Sequence, residues 1–361
     1  MNMKFYSPLT GSYNTKVIYT QYSIPLFQNK IYSTFEASII VEKVDVKLVQ
    51  CLDTGFVFSG GFDINKLDYD ENYQNEQANS FYFQTHLESV IQLLKDRNLL
   101  SGKILEIGCG KGYFMDLLLK EKVDITGIDP TYEGDSPLVI KDYYSKRYAY
   151  LNADLIVLRH TLEHIPDPFG FIKMISESNN HRGKIYIEIP TFDWIAKHNA
   201  IEDIFYEHCN YFTPMTISTL FHDCEINYIF NKQYIGIIAD LSKVRDIIKP
   251  IEDIEKYNLN FQDKLNEYKN KIYNLNNVAI WGAGAKGSTL LNLIDKNREK
   301  IKCVIDINIR KQNKYIGGSG HSIIPPEEIN NFEIENIIVM NENYIDEIKD
   351  MTPNGVNIFT L

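Results

Sequence analysis

The stretch Lys103–Asp129, KILEIGCGKGYFMDLLLKEKVDITGID, decides how this chain folds. Ile104–Ile107 is a short apolar run of the kind that fills a parallel strand buried on both faces. Gly108, Gly110 and Gly112 follow at once, and without Cβ atoms they let backbone approach a ligand where a side chain would collide. Tyr113–Lys120 reads as a helix and Val123–Ile128 as the next buried strand. Asp129 stands at that strand's carboxyl end, where a carboxylate can accept hydrogen bonds from ribose hydroxyls. The glycine spacing is GxGxG, which differs from the GxGxxG of a dinucleotide fingerprint. The fold class expected is therefore α/β, with a nucleotide-type ligand at the strand ends.

At 361 residues the chain exceeds one typical domain, so two or three are expected. A hydrophobic content of 44% and a charged content of 24% are those of an ordinary globular protein. The formal charge of -11 argues against broad binding to nucleic acid or to an acidic membrane, which needs a basic field. The five cysteines are odd in number and scattered, which is not a disulfide framework and predicts a reducing, cytoplasmic setting. No apolar run reaches membrane-spanning length, and the opening MNMKFYSPLTG lacks the apolar core of a signal peptide.

Residues 1–68 carry β-branched and aromatic runs between turn formers and predict a small β-rich module. SPLTG (Ser7–Gly11) and CLDTGFVF (Cys51–Phe58) look like two zinc knuckles with most ligands gone. Ser7, Thr10 and Thr54 stand where sulfur would be needed, and only Cys51 remains. Tetrahedral zinc takes four good ligands, so no metal is expected there. Residues 69–245 hold the first glycine loop, preceded by an amphipathic helix whose apolar face is Leu87, Val90, Ile91, Leu93 and Leu94. ADLIVLRHTLEHIPDP (Ala153–Pro168) reads as a buried strand and turn that delivers Arg159 and His160 to the crevice at the strand's carboxyl end. His160 and His164 are four apart, but HTLEH is not HExxH and offers no third ligand, so no metal is predicted here either.

EDIFYEHCNYFTPMTISTLF then brings Tyr206, Glu207 and His208 together ahead of a helix start. An imidazole with a carboxylate and phenols beside it suits removal of a carbon-bound proton, because it titrates near neutrality and its neighbours can orient it. Residues 246–275 carry apolar positions at intervals of three and four and predict a long amphipathic helix connecting two domains. In residues 276–361, Val278–Trp281 is a strand, Gly282, Gly284 and Gly287 give GxGxxG, and Asp306 ends the next strand. Alone, that is a dinucleotide fingerprint, and it supports a second reading of the chain as an NAD-dependent oxidoreductase.

With Glu106 in front, EIGCGKG resembles the first motif of the class I S-adenosylmethionine (SAM) methyltransferases, and Asp129 matches that family's ribose-binding acid. Taken with IEIPTFDW and DIFYEHCNYFT, it resembles the SAM-dependent nucleotide-sugar C-methyltransferases. The resemblance implies a small N-terminal module, here without its zinc ligands, a central SAM domain and a C-terminal Rossmann-like domain without a redox cofactor. It implies SAM as methyl donor, held by Glu106, Gly108, Gly110, Gly112 and Asp129, with Asp142 near the adenine and His160 as a further contact. The substrate implied is a nucleotide-linked keto-deoxysugar. His208 stands at the general-base position with Tyr206 and Glu207 beside it, Tyr73 is a lid or substrate contact, Arg159 an enolate stabiliser, and Lys286 and His321 are candidates for the diphosphate. An O- or N-methyltransferase acting on a sugar or other small molecule would use the same cofactor site. Sequence does not fix the oligomeric state.

Overall fold

Seven buried or half-buried runs pair into a central sheet in the computed structural model, which describes residues 4–70 and 72–361. Its order is Glu225–Ile229, Tyr234–Asp240, Lys184–Pro190, Leu155–Arg159, Lys103–Ile107, Asp124–Ile128 and Val139–Ile140. Tyr234–Asp240 runs antiparallel to both neighbours, and the pairs from Lys184–Pro190 onward are parallel. The chain starts at Lys103–Ile107, moves outward on one side to Val139–Ile140, and returns to the other side at Leu155–Arg159. That reversal leaves a crevice at the carboxyl ends of two adjacent strands, the place where open α/β sheets bind ligands.

Helix Phe81–Asp96 covers one face of this sheet. Ser80 caps it by accepting from the Phe83 amide (3.2 Å), and Phe83, His86, Leu87, Val90, Ile91 and Leu94 form its buried side. A second sheet, entirely parallel, has the order Ile323–Ile324, Ile301–Ile305, Val278–Trp281, Asn336–Val339 and Asn357–Thr360. Again the first strand in sequence lies at the reversal of order, and again a glycine loop follows it.

The N-terminal segment is less self-contained than a 1–68 module would be. Thr15–Pro25, Lys43–Cys51 and Val57–Ser59 form an antiparallel sheet that gains a fourth strand, Asn210–Tyr211, from the end of the Tyr206–His208 segment. Ile31–Tyr32 instead pairs with Tyr315–Ile316 of the C-terminal region. Around Ser7–Gly11 and Cys51–Phe58, Gly11 and Gly55 donate their amides to Ser7 (2.7 Å) and Cys51 (2.8 Å) carbonyls. Ser7 is buried, Thr10 Oγ1 lies 3.9 Å from Cys51 Sγ, and Cys51 packs with Leu9 and Phe56. One thiol among hydroxyls does not fit zinc.

The helix expected across residues 246–275 is shorter than its periodicity suggests and spans Phe261–Tyr273. Tertiary contacts hold the preceding residues in a non-helical path. Tyr257 packs edge-on against Phe192 (4.8 Å between ring centroids), Gln50 Nε2 donates to the Glu255 carbonyl (2.6 Å), and the Asn260 amide donates to Asn199 (3.2 Å). Among the described residues no helix is long and apolar enough to cross a membrane.

The second glycine loop shows how tightly these turns are built. A Cβ on Gly287 would sit 2.0 Å from the Gly282 carbonyl oxygen, which is backbone and cannot swing aside. Gly287→Ala should therefore destabilise the fold by about 1–3 kcal/mol, read as a lower melting temperature; an unchanged melt would contradict this close approach.

Candidate active site

Both glycine loops open onto one cavity of about 1190 Å³. In the first, Gly108, Gly110 and Gly112 all adopt positive φ. A Cβ on Gly108 would meet Thr161 Oγ1 at 2.2 Å, whereas one on Gly110 would meet nothing within 4 Å, so at Gly110 the backbone is bare toward the cavity. Asp129 fixes the loop: Gly110 N donates to its Oδ2 (2.7 Å), and Thr131 N and Oγ1 both donate to its Oδ1 (2.7 Å each). A carboxylate has about four acceptor positions, so Oδ2 retains capacity for a ligand hydroxyl. Glu106 is buried, its Oε2 has no hydrogen-bond partner, and burial pushes its carboxyl up to about 8. An orphaned acceptor beside a bare loop suits the amino and ribose donors of SAM, and these residues fit that cofactor.

The second loop repeats the device. Ala283 N donates to Asp306 Oδ2 (2.7 Å) and Asn308 N to Oδ1 (2.8 Å), as the corresponding amides do at Asp129. Lys286 lines the cavity at the start of helix Ala285–Ile294, where its ammonium donates to Asp203 (2.8 Å). That contact joins the two domains next to the Tyr206–His208 segment.

Arg159 and His160 reach the cavity but are held from behind by Glu188, a fully buried carboxylate on Lys184–Pro190. Arg159 donates through Nε (2.8 Å) and Nη2 (3.1 Å), His86 Nε2 stands at 2.7 Å, His160 Nε2 at 3.2 Å, and the Tyr186 hydroxyl donates at 3.2 Å. Burial disfavours the Glu188 charge, but Arg159 and the two imidazoles outweigh it and hold the carboxyl well below its usual range. Burial likewise opposes a charge on His160, yet contacts with Glu163 and Glu188 push it up to about 9. His160 is thus a cation at neutral pH, and Arg159 is committed to Glu188 and to the Phe114 ring (4.5 Å).

Of Tyr206, Glu207 and His208, only His208 lines the cavity. Tyr206 faces away: the Asp63 amide donates to its hydroxyl (2.8 Å), which donates back to the Asp63 carbonyl (3.2 Å). The Glu207 carboxylate is fully buried and accepts from the Gln28 amide (3.0 Å). Both are therefore anchors for the N-terminal segment and not groups that reach a ligand. His208 is held neutral, first by burial and then by the nearby imidazoles of His164 and His160, which depress its basicity well below the ordinary value. Beside it stand Glu163 and His164 of HTLEH, which the sequence reading set aside as a metal pair for want of a third ligand. The signal was present in HTLEH, but the residue that joins them, His208, comes from a distant segment.

Tyr73 lines the cavity, packs edge-on against Tyr69 (4.7 Å), and receives a bond from Asn29 Nδ2 (3.4 Å). Asp142 follows the Val139–Ile140 strand as expected, but its carboxylate turns to Arg147 and Tyr148, and the neighbours Tyr143 and Tyr144 line the cavity instead. His321 lies inside the C-terminal domain, fully buried, with Nδ1 3.0 Å from Ser319 Oγ and Nε2 3.4 Å from Asp295. It is not a diphosphate contact.

Glu207 gives this region a pH signature. Burial pushes its carboxyl up to about 7 from an unfolded value of 4.5. Between those values the folded chain holds a proton that the unfolded chain releases, so this contribution to stability falls as pH rises. Glu207→Gln keeps an acceptor for Gln28 and has no proton to lose. Its stability relative to the native chain should rise by about 2–3 kcal/mol between pH 5 and pH 8; parallel pH profiles in thermal melts would show Glu207 ionised in the fold.

Residues 77–228 match the family model described as a methyltransferase domain, and residues 274–358 match the model described as C2185-like, N-terminal. The C-methyltransferase NovU from Streptomyces niveus is 22% identical over 307 residues, covering 73% of each chain. Among solved structures, a SAM-dependent methyltransferase from Archaeoglobus fulgidus aligns with 44% of this chain and 99% of its own, at 20% identity and a TM-score of 0.34. Human N-acetylserotonin methyltransferase aligns with 44% of this chain and 55% of its own, at 14% identity and a TM-score of 0.32. With the sheet order, the GxGxG loop and the methyltransferase-domain match agreeing, this chain is a SAM-dependent methyltransferase with the class I Rossmann-like fold.

Proposed function

We propose that this enzyme methylates carbon next to the carbonyl of a nucleotide-linked keto-deoxysugar. The observation that carries the reading is an uncharged imidazole, His208, in the same cavity as both glycine loops. The similarity to a C-methyltransferase over most of the chain agrees with it.

SAM at the Gly108–Gly112 loop supplies an electrophilic methyl group, with Glu106 and Asp129 holding its amino acid and ribose ends. The chain's own residues do the rest. His208 removes the proton on the carbon adjacent to the sugar carbonyl, and it is free to do so because burial and the neighbouring imidazoles keep it unprotonated. His160, charged and near enough to depress His208, places positive potential beside the enolate oxygen that develops. Tyr206 cannot share in this, since its hydroxyl belongs to Asp63. The nucleotide end lies along the Gly282–Gly287 loop, where backbone amides at a helix start and the Lys286 ammonium favour a diphosphate. Positioning dominates such a transfer because the donor is already activated, and the base contributes about 10²- to 10⁴-fold.

The test is solvent exchange. In D2O with a keto-sugar nucleotide and no active methyl donor, the enzyme should wash deuterium into the position next to the carbonyl, and His208→Ala should abolish both exchange and methylation. Methylation at oxygen or nitrogen, read by NMR and accompanied by no exchange at carbon, would overturn the proposal. For the donor site, Asp129→Ala should weaken SAM binding at least ten-fold in calorimetry, about 1.4 kcal/mol.

A further inference from the structure

Glu163, His164 and His208 each offer a ligand atom within 4.8 Å of the others, and all three line the cavity. His164 Nδ1 donates to the Glu207 carbonyl (2.7 Å), which fixes the ring and leaves Nε2 as the nitrogen available to a ligand. Among the described residues, no hydrogen bond engages the His208 ring, which packs edge-on against His164 (4.8 Å between ring centroids). Glu163 is buried, and neither of its carboxylate oxygens has a hydrogen-bond partner, although His160 Nδ1 stands 3.5 Å from Oε1.

We infer that Glu163, His164 and His208 form a binding site for one divalent transition-metal ion of borderline softness, of the Zn2+ or Co2+ kind. Two imidazoles and a carboxylate are the donor set such ions take, and three protein ligands leave a position open to the cavity. Ligand atoms around a tetrahedral ion at about 2.1 Å stand about 3.4 Å apart, so the site closes by side-chain movements of about an ångström. The backbone beneath is already stitched together. Cys209 N donates to the Glu163 carbonyl (2.9 Å), and Asn210 Nδ2 donates to the carbonyls of Leu162 (3.1 Å) and Ile165 (2.7 Å). The turn that carries Glu163 and His164 is thereby fixed against the segment that carries His208.

An ion held here occupies the His208 lone pair and withdraws the base from the proposed reaction. That consequence rests on the function proposed above, whereas the site itself does not. The full chain, treated with chelator, is titrated with Co2+ and followed by the visible ligand-field bands and by calorimetry. One ion should bind per chain, and Glu163→Gln, His164→Ala and His208→Ala should each weaken it at least ten-fold, while His222→Ala, on the surface, leaves it unchanged. X-ray absorption of the Zn2+-loaded native chain, which depends on no variant folding, should show imidazole nitrogens and carboxylate oxygen. No binding at unit stoichiometry, sulfur in the coordination shell, or affinity indifferent to all three substitutions would overturn the site. Zn2+ should also suppress deuterium exchange in the native chain. Binding without suppression would leave the site standing and remove His208 as the base.

Discussion

A single buried carboxylate, Glu188, sets conditions that much of the central domain has to meet. It sits on the Lys184–Pro190 strand with no access to water, and such a charge is tolerated only when nearly every acceptor position is filled. The partners come from helix Phe81–Asp96, from the end of Leu155–Arg159, and from the strand itself. Satisfying the charge therefore docks that helix onto the sheet, turns Arg159 inward, and leaves His160 protonated at the cavity wall. Loss of one partner would leave a charge buried and uncompensated, which is costlier than never having placed it there.

The cavity lies between two sheets that solve the same problem in the same way. Each has its first strand where the strand order reverses, a glycine loop after it, and an aspartate from the next strand that fastens the loop's amides. The Lys286–Asp203 ion pair and the strand pairing at Ile31–Tyr32 hold the two halves around a shared space. On the proposed function, a methyl donor and an acceptor with a nucleotide handle are brought together without either site having been built for the other.

What the sequence disclosed was what depends on neighbours along the chain. Ile104–Ile107, the three glycines and Asp129 are a local pattern, and the strand, loop and strand followed from it directly. The same held for Val278–Trp281 and its loop. Of the Tyr206–His208 cluster that the sequence singled out, His208 is the member that lines the cavity. Tyr206 and Glu207 were grouped with it by adjacency, and the structure turns both away, since the chain turns at these two residues and the backbones of Asp63 and Gln28 claim their polar ends. Asp142 was placed at the right strand end but pointed wrongly. The partnership of Glu163 and His164 with His208, and that of His86 with Glu188, join distant segments, and no periodicity records them. The helix before Phe261 failed for a similar reason, because contacts from Gln50, Phe192 and Asn199 override local spacing.

The pairing of Ile31–Tyr32 with Tyr315–Ile316 also bears on how the molecule is made. During synthesis Ile31–Tyr32 leaves the ribosome long before its partner strand is made. The central sheet contains all its own strands and can form while the C-terminal half is still being added, as domains generally do. The N-terminal segment must then wait, or pair provisionally, until Tyr315 emerges. Closing so long a loop is slow, because its entropy is lost before the contact forms. The wall of the cavity near Asn29 and Tyr73 is thus the last to be set, and the nascent chain has a complete methyl-donor loop before it has an enclosed place for an acceptor.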